Sequence, residues 1–289
     1  MNGSILAEAP AVSPLSQYLE AVSLGALQGV AEFLPISSSG HLSLAQAVLD
    51  EATGRQIDPE GNRLLVIVLH VGTLGSILWS YRRDLWATAT DVRYVTSVAV
   101  ATAPLVVVAL TPLKDRVEAM FAQPAVVGVC LLVTAGLLLA GQYLAVRRSD
   151  PADGEEASPS SREVTLPVAA VIGAFQTLAL LPGISRSGST IAGGLMSGLS
   201  REEAVRFSLM IGVPAIAGAG LLEAKSVLDA GVSLNALPIG PLAAGAGTAF
   251  LVGVAAISLL RKAVSNDRLH WFAAYCAAVG SATLVWQLT

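Results

Sequence analysis

Long uninterrupted apolar runs, separated by short polar segments, dominate the pattern along this chain. Six of them come close to the roughly 20 residues a helix needs to cross a hydrocarbon core about 30 Å thick: approximately 64–80, 95–112, 124–146, 205–223, 238–260 and 270–288. Each predicts a transmembrane helix. Two further apolar stretches, about 17–48 and 165–198, are interrupted in the middle by LPISSSGH and LPGISRSGST. Pro, Ser and Gly at those interruptions predict two short helices per stretch. Backbone that leaves a helix at membrane depth must be buried in protein or line a wet cavity. Both stretches are therefore expected to be re-entrant hairpins meeting at an internal site.

The hairpins repeat one another. Residues 25–40 (GALQGVAEFLPISSSG) laid without a gap on 173–188 (GAFQTLALLPGISRSG) agree at 8 of 16 positions, among them Gln28 with Gln176, Ser37 with Ser185 and Gly40 with Gly188. Each half then consists of one hairpin followed by three spans. A hairpin returns to its own side and three spans are an odd number, so the halves must be mutually inverted. The expected fold is an all-α polytopic membrane protein, an inverted-topology repeat of residues 1–148 and 164–289. The polar, acidic, Pro/Ser-rich segment 149–163 is expected to be a flexible cytoplasmic linker between them.

Loop charges set the orientation. One side holds eleven Lys and Arg, in the segments around 82–93, 147–162, 201–206 and 261–268; the other holds five, Arg55, Arg63, Lys114, Arg116 and Lys225. The first side is expected in the cytoplasm, with both termini outside and the first hairpin entering from outside. No Lys or Arg precedes Arg55, so the basic start of a cleavable signal peptide is missing and the N-terminus is expected to be retained.

Composition adds exclusions. The 289 residues are 54% apolar and 13% charged, with a formal charge of −4, against roughly 25% charged in a soluble domain. No basic face is available for nucleic acid, so no such partner is expected. Cys130 and Cys276 fall inside apolar runs and read as small buried hydrophobes. Nothing in the sequence sets the oligomeric state, and a homodimer is left open.

Chemistry concentrates in the two interruptions. Arg186 is expensive at membrane depth and calls for a ligand or a buried partner. Ser185, Ser187, Gly188, Ser189 and Thr190 surround it at a helix start, which makes a cradle for an anion. A buried ion pair with Glu32 is the other role open to Arg186, and the two are compatible. In the first hairpin, Gln28 and Glu32 lie four apart on one helix face, and Ser37, Ser38, Ser39 and His41 follow at the break. A carboxylate, hydroxyls and an imidazole can supply a metal ligand or base, a nucleophile and a proton donor for phosphoanhydride hydrolysis. His70 and His270 sit within or at the edge of spans and are expected to be satisfied by neighbours. Gly72, Gly212 and Pro214 are expected to serve close helix packing.

QGVAEFLPISSSGH (28–41) and LLPGISRSGST (180–190) resemble the two signatures of the undecaprenyl-diphosphate phosphatases associated with bacitracin resistance, and the likeness extends over nearly the whole chain. The resemblance implies removal of the terminal phosphate from a C55 isoprenoid diphosphate at the outer face of the plasma membrane, recycling the carrier lipid for cell-wall glycan export. It makes Glu32 the essential acid and ligand of a divalent cation, Mg2+ or Ca2+. Ser38 and His41 are alternative acceptors of the phosphoryl group, with His41 otherwise activating or protonating. Arg186 would hold the diphosphate, and Gln28, Ser37, Ser39, Ser185, Ser187, Gly188 and Thr190 would bind substrate. Position 28 departs from the pattern, being Gln where many members carry a second Glu. A polyprenyl-phosphate transporter is the competing reading, since inverted repeats with broken helices also build transporters. Glu32, Ser38 and His41 occur in one hairpin only, and that asymmetry favours an enzyme.

Overall fold

The computed structural model describes residues 13–53, 59–149, 163–231 and 238–288, and these form twelve helices with no strand. The first hairpin is α1 (Pro14–Phe33) and α2 (Ser38–Thr53); α3 (Pro59–Ser80), α4 (Arg82–Thr88), α5 (Val92–Ala109), α6 (Leu113–Met120) and α7 (Pro124–Ser149) follow. The second hairpin is α8 (Leu166–Leu178) and α9 (Arg186–Met196), succeeded by α10 (Arg201–Asp229), α11 (Ile239–Ser265) and α12 (Leu269–Leu288). Five of these, α5, α7, α10, α11 and α12, are long and apolar enough to cross a membrane, and α3 with α4 makes a sixth candidate bent by 72°. The protein is polytopic.

Local chemistry starts and stops the hairpin helices. Ser13 caps α1 by accepting from the Ser16 amide, and Pro14 takes the first helical position, where its missing N–H costs nothing. The helix ends because Pro35 forces Leu34 into extended backbone (φ −64°, ψ 143°). Ser37 then turns with φ +74°. In the second hairpin the turn falls at Gly183, φ +100°, a conformation that suits glycine. A Cβ there would also meet Cys130 at 2.8 Å.

Three expectations shift in detail. The span expected to reach residue 112 stops at Ala109, short of Pro112, and α6 is a separate short helix. The first span bends at Tyr81 into α4. Conversely, α10 runs through Pro214 to Asp229, well past the expected 223. Most of the expected linker, residues 150–162, lies outside the described residues.

Packing joins the halves crosswise. α1 lies along α11 and α8 along α5, while α3 contacts α11 and α10 contacts α5; α7 packs on α12, and α3 on α10. Backbone meets backbone where α1 crosses α11, since a Cβ on Gly25 would land on the Gly245 carbonyl. Such close approach is how helices gain packing energy without a hydrophobic drive. Gly72 packs on Ala246 in the same way, as expected. Cys130 and Cys276 are buried free thiols.

Polar groups collect at one end of the bundle. Arg206 pairs with Asp84 at 3.0 Å, Arg201 donates to Asp267 at 2.6 Å, and Arg148 reaches the carbonyls of Leu195 and Met196. Lys114 of α6 and Glu223 of α10 share the rim of a cleft elsewhere on the bundle.

Candidate active site

The two interruptions touch. A Cβ on Gly40 would lie 2.9 Å from Gly183 Cα, and one on Gly188 would lie 3.2 Å from Pro35 Cβ. Ser187 Oγ donates to the Leu34 carbonyl at 3.3 Å. Direct contact of this kind holds the two breaks in register and brings their polar side chains to one level.

At that level Glu32 is almost completely buried, 8% exposed. Its Oε1 accepts from Arg186 Nη2 at 2.8 Å; its Oε2 accepts from Ser38 Oγ at 2.8 Å and from Gln28 Nε2 at 3.1 Å. An ionised carboxylate is acceptor-only, so three donors aimed at it fix its orientation. Arg186 is held in turn. Its Nη1 donates to the Ser208 carbonyl of α10 at 3.2 Å, and its guanidinium lies over Gly212, where a Cβ would come within 2.5 Å of Nη1. Gly212 therefore makes room for the cation, a role different from the helix packing expected of it.

Of the residues singled out in the sequence, Glu32, Ser37, Ser38, Ser39, Ser185 and Arg186 line one cavity of about 170 Å³. Gln28 supports Glu32 from behind, fully buried, and its Oε1 has no hydrogen-bond partner among the described residues. The other expected groups face elsewhere. Thr190 Oγ1 binds the Arg186 carbonyl and Ser208 Oγ, Ser187 serves the contact with Leu34, and Gly188 donates its amide to the capping Ser185 Oγ. They build the α9 start and do not line the cavity.

His41 is the main correction. Its Nδ1 lies 2.8 Å from the Ser37 carbonyl and its Nε2 2.8 Å from Tyr275 Oη, with the two rings stacked. A carbonyl only accepts, so Nδ1 carries the hydrogen and Nε2 receives the tyrosine's. Both nitrogens are occupied, and the imidazole does not border the cavity.

His70 was expected to be satisfied by its neighbours, yet it lines the cavity, with Nε2 3.9 Å from Glu32 Oε2. The signal was available: the cost of a polar group at membrane depth, which singles out Arg186, applies to an imidazole inside the first span as well. Ser208 and Thr134 carried no such signal. Thr134 of α7 donates to the Gly183 carbonyl and accepts from the Ser185 amide, pinning the second break.

Ala215 and Ala219 of α10 form a wall shared by this cavity and a second, apolar cleft of about 550 Å³ between α5, α6 and α10. Leu105, Val106, Leu110, Phe121 and Leu222 line the cleft, and Lys114, Glu118 and Glu223 stand at its rim.

A multi-helix membrane protein with a buried, guanidinium-neutralised carboxylate, a hydroxyl bonded to it, and an apolar cleft alongside is equipped to process an anionic lipid headgroup. Comparison with known proteins gives the family. The family model described as "Bacitracin resistance protein BacA" matches residues 21–282, and the chain belongs to that family. Among curated relatives, the undecaprenyl-diphosphatase of Rhodopirellula baltica is 39% identical over 267 residues, covering 92% of this chain and 96% of its own. That of Methanosphaera stadtmanae is 35% identical, covering 92% and 97%, and that of Bacteroides thetaiotaomicron is 34% identical, covering 94% and 99%.

Proposed function

We propose that this protein is an integral-membrane phosphatase that hydrolyses undecaprenyl diphosphate to undecaprenyl phosphate and inorganic phosphate. The observation that carries the reading is the hydrogen bond from Ser38 Oγ to Glu32 Oε2 at 2.8 Å, inside a cavity that also presents Arg186. A nucleophile bonded to a base, with the base oriented by further groups, is the arrangement covalent catalysis requires. Ser38 Oγ attacks the terminal phosphorus and passes its proton to Glu32. The bond from that phosphorus to the bridging oxygen breaks, and the lipid monophosphate leaves. Water then attacks the phosphoserine, Glu32 returns its proton to the departing Ser38 Oγ, and phosphate is released. A phosphate monoester has its second pKa near 6, so the leaving group needs no proton donor, which accounts for a His41 turned away from the cavity. His41 and Tyr275 act as positioning residues that hold the Ser37 turn.

Arg186 takes the charge that spreads over the transferred phosphoryl oxygens. Ser37, Ser39 and Ser185 supply hydroxyls to the diphosphate. Glu32, the carboxylate of the cavity lining among the described residues, is a hard oxygen donor that would hold a divalent cation, Mg2+ or Ca2+. When bound, such a cation would supply neutralisation of the diphosphate charge. The prenyl chain enters the cleft beyond Ala215 and Ala219.

The crosswise packing of α1 on α11 and α8 on α5 supports two halves related as inverted repeats, with both hairpins re-entrant. The gathering of Arg148, Arg201 and Arg206 at one polar end supports the orientation read from loop charge: that end cytoplasmic, both termini outside, and the catalytic hairpin opening to the outer face of the plasma membrane.

The test is phosphate release from undecaprenyl diphosphate by purified protein with Mg2+, Ca2+ or chelator, alongside Glu32→Ala, Ser38→Ala and Arg186→Ala. Cation-dependent release, with losses of at least about 100-fold in each variant, is expected. No release by folded wild type under any condition would overturn the proposal.

A further inference from the structure

We infer that His70 orients the water that attacks the phosphoserine, accepting a hydrogen bond from it through Nε2. The inference rests on the covalent phosphatase reading and gives the second half of the reaction a residue that neither the sequence motifs nor the relatives' names assign.

Hydrogen bonding fixes what this ring can do. His70 Nδ1 lies 2.8 Å from the Val66 carbonyl one turn earlier on α3. A carbonyl only accepts, so Nδ1 carries the hydrogen and Nε2 of the neutral ring presents a lone pair. Nε2 stands 3.9 Å from Glu32 Oε2, beyond hydrogen-bond reach, and that oxygen already accepts from Ser38 and Gln28. Among the described residues Nε2 has no hydrogen-bond partner, and the ring lines the same cavity as Ser38 and Arg186.

The chemistry of the cavity decides what that lone pair takes. Phosphoryl oxygens are acceptors and repel it, whereas the hydroxyls of Ser37, Ser39 and Ser185 and the Arg186 guanidinium can all donate to them. Nε2 needs a donor, and the donor that enters between the two half-reactions is water. Phosphoryl transfer asks little of a protein beyond placing the nucleophile in line with the bond that breaks, at about 3–3.5 Å from phosphorus. Ser38 Oγ and His70 Nε2 flank the same carboxylate oxygen from different helices, α2 and α3, so a phosphoryl group carried on Ser38 has Nε2 beside it. In the step, the water oxygen bonds to phosphorus as the bond to Ser38 Oγ breaks. Oγ takes the proton that Glu32 has held since the first half-reaction, and both water hydrogens leave on the phosphate. The imidazole gains and loses no proton; it acts by orientation.

The experiment follows a single turnover of purified full-length protein on undecaprenyl diphosphate radiolabelled in its terminal phosphate, with Mg2+ or Ca2+ present. Undecaprenyl phosphate and free phosphate should appear together in wild type. In His70→Leu, undecaprenyl phosphate should form at close to the wild-type rate, while free phosphate is slowed by about 100-fold and the label stays on Ser38. His70→Gln, whose amide oxygen reaches about as far as Nε2 and can hold a water, should restore free-phosphate release to within about tenfold of wild type. His70→Asn is too short to reach; it shares the expectation for leucine and replaces it if the unfolding temperature shows that leucine disturbs the fold. With wild type active, label trapped in neither His70→Leu nor His70→Asn would overturn the inference. Equal slowing of both products would then make His70 a structural or substrate-binding group, and no slowing would remove it from the reaction. A glutamine variant no faster than leucine would overturn the accepted hydrogen bond as its means of action. No release by wild type, or full release by Ser38→Ala, sinks the covalent phosphatase reading itself and the inference with it.

Discussion

Glu32 and Arg186 stand 154 positions apart in the chain and 2.8 Å apart in the fold, one from each broken hairpin. The pair is buried, 8% and 14% exposed. Removing one member of such a pair strands a charge and costs about 3–5 kcal/mol, whereas replacing both is often close to neutral. Arg186→Met and Glu32→Gln should each unfold at lower temperature in detergent, and the double variant should recover much of the loss. All three should be inactive. A double variant no more stable than the singles would mean that the pair is not what holds the hairpins together.

Arg186→Lys tests the shape of the cation. The guanidinium reaches Glu32 through Nη2 and the Ser208 carbonyl through Nη1 at once, and an ammonium cannot span both. We expect phosphate release to fall at least about tenfold in kcat/KM with the unfolding temperature nearly kept. Full activity in the lysine variant would show that charge alone suffices.

Gly212→Ala carries the same question one residue further out. The added Cβ would meet Arg186 at Nη1 and Cζ, so the guanidinium must shift by several tenths of an ångström. Misplacement on the scale of 1 Å can cost about 100-fold. The expected outcome is a drop in kcat with little change in Tm. Gly25→Ala is the contrast. Its Cβ would strike the Gly245 carbonyl between α1 and α11, away from the site, and overpacking of about 1–3 kcal/mol should lower Tm while kcat per folded molecule holds.

What the sequence disclosed follows from how locally each feature is determined. Helix positions come from runs of apolar residues, and the breaks come from Pro35, Pro182 and Gly183, so both were legible. Glu32 and Arg186 were legible because charge at membrane depth is costly. His70 obeys the same rule but was discounted, since its chain neighbours are apolar and only the fold carries α3 across to Glu32. The direction in which His41 turns depends on Tyr275, 234 residues away, and the fit of Gly212 against Arg186 depends on how α10 crosses α9. Such relationships are set by tertiary packing and leave no periodic trace.

His41 gives a prediction that separates positioning from chemistry. If its ring holds the Ser37 turn through Nδ1 and is steadied by Tyr275, then Tyr275→Phe removes one hydrogen bond worth about 0.5–1.5 kcal/mol and should leave kcat within about tenfold of wild type. Ser38→Ala should cost far more. A loss in Tyr275→Phe as deep as in Ser38→Ala would return His41 to the reacting atoms.

The cleft between α5, α6 and α10 should show itself as a split between substrates. Ala219 borders both the polar cavity and the apolar cleft, so a large side chain there fills the boundary between them while leaving Glu32, Ser38 and Arg186 in place. Each isoprene unit excluded from the cleft forfeits apolar burial at about 0.8 kcal/mol per methylene equivalent. Ala219→Trp should therefore raise KM for undecaprenyl diphosphate by at least about tenfold. A short-chain diphosphate such as isopentenyl diphosphate, whose tail does not reach the cleft, should show little change. Equal losses on both substrates would mean that the introduced indole disturbs the headgroup cavity itself, and no loss on either would place the lipid tail on another face of the bundle.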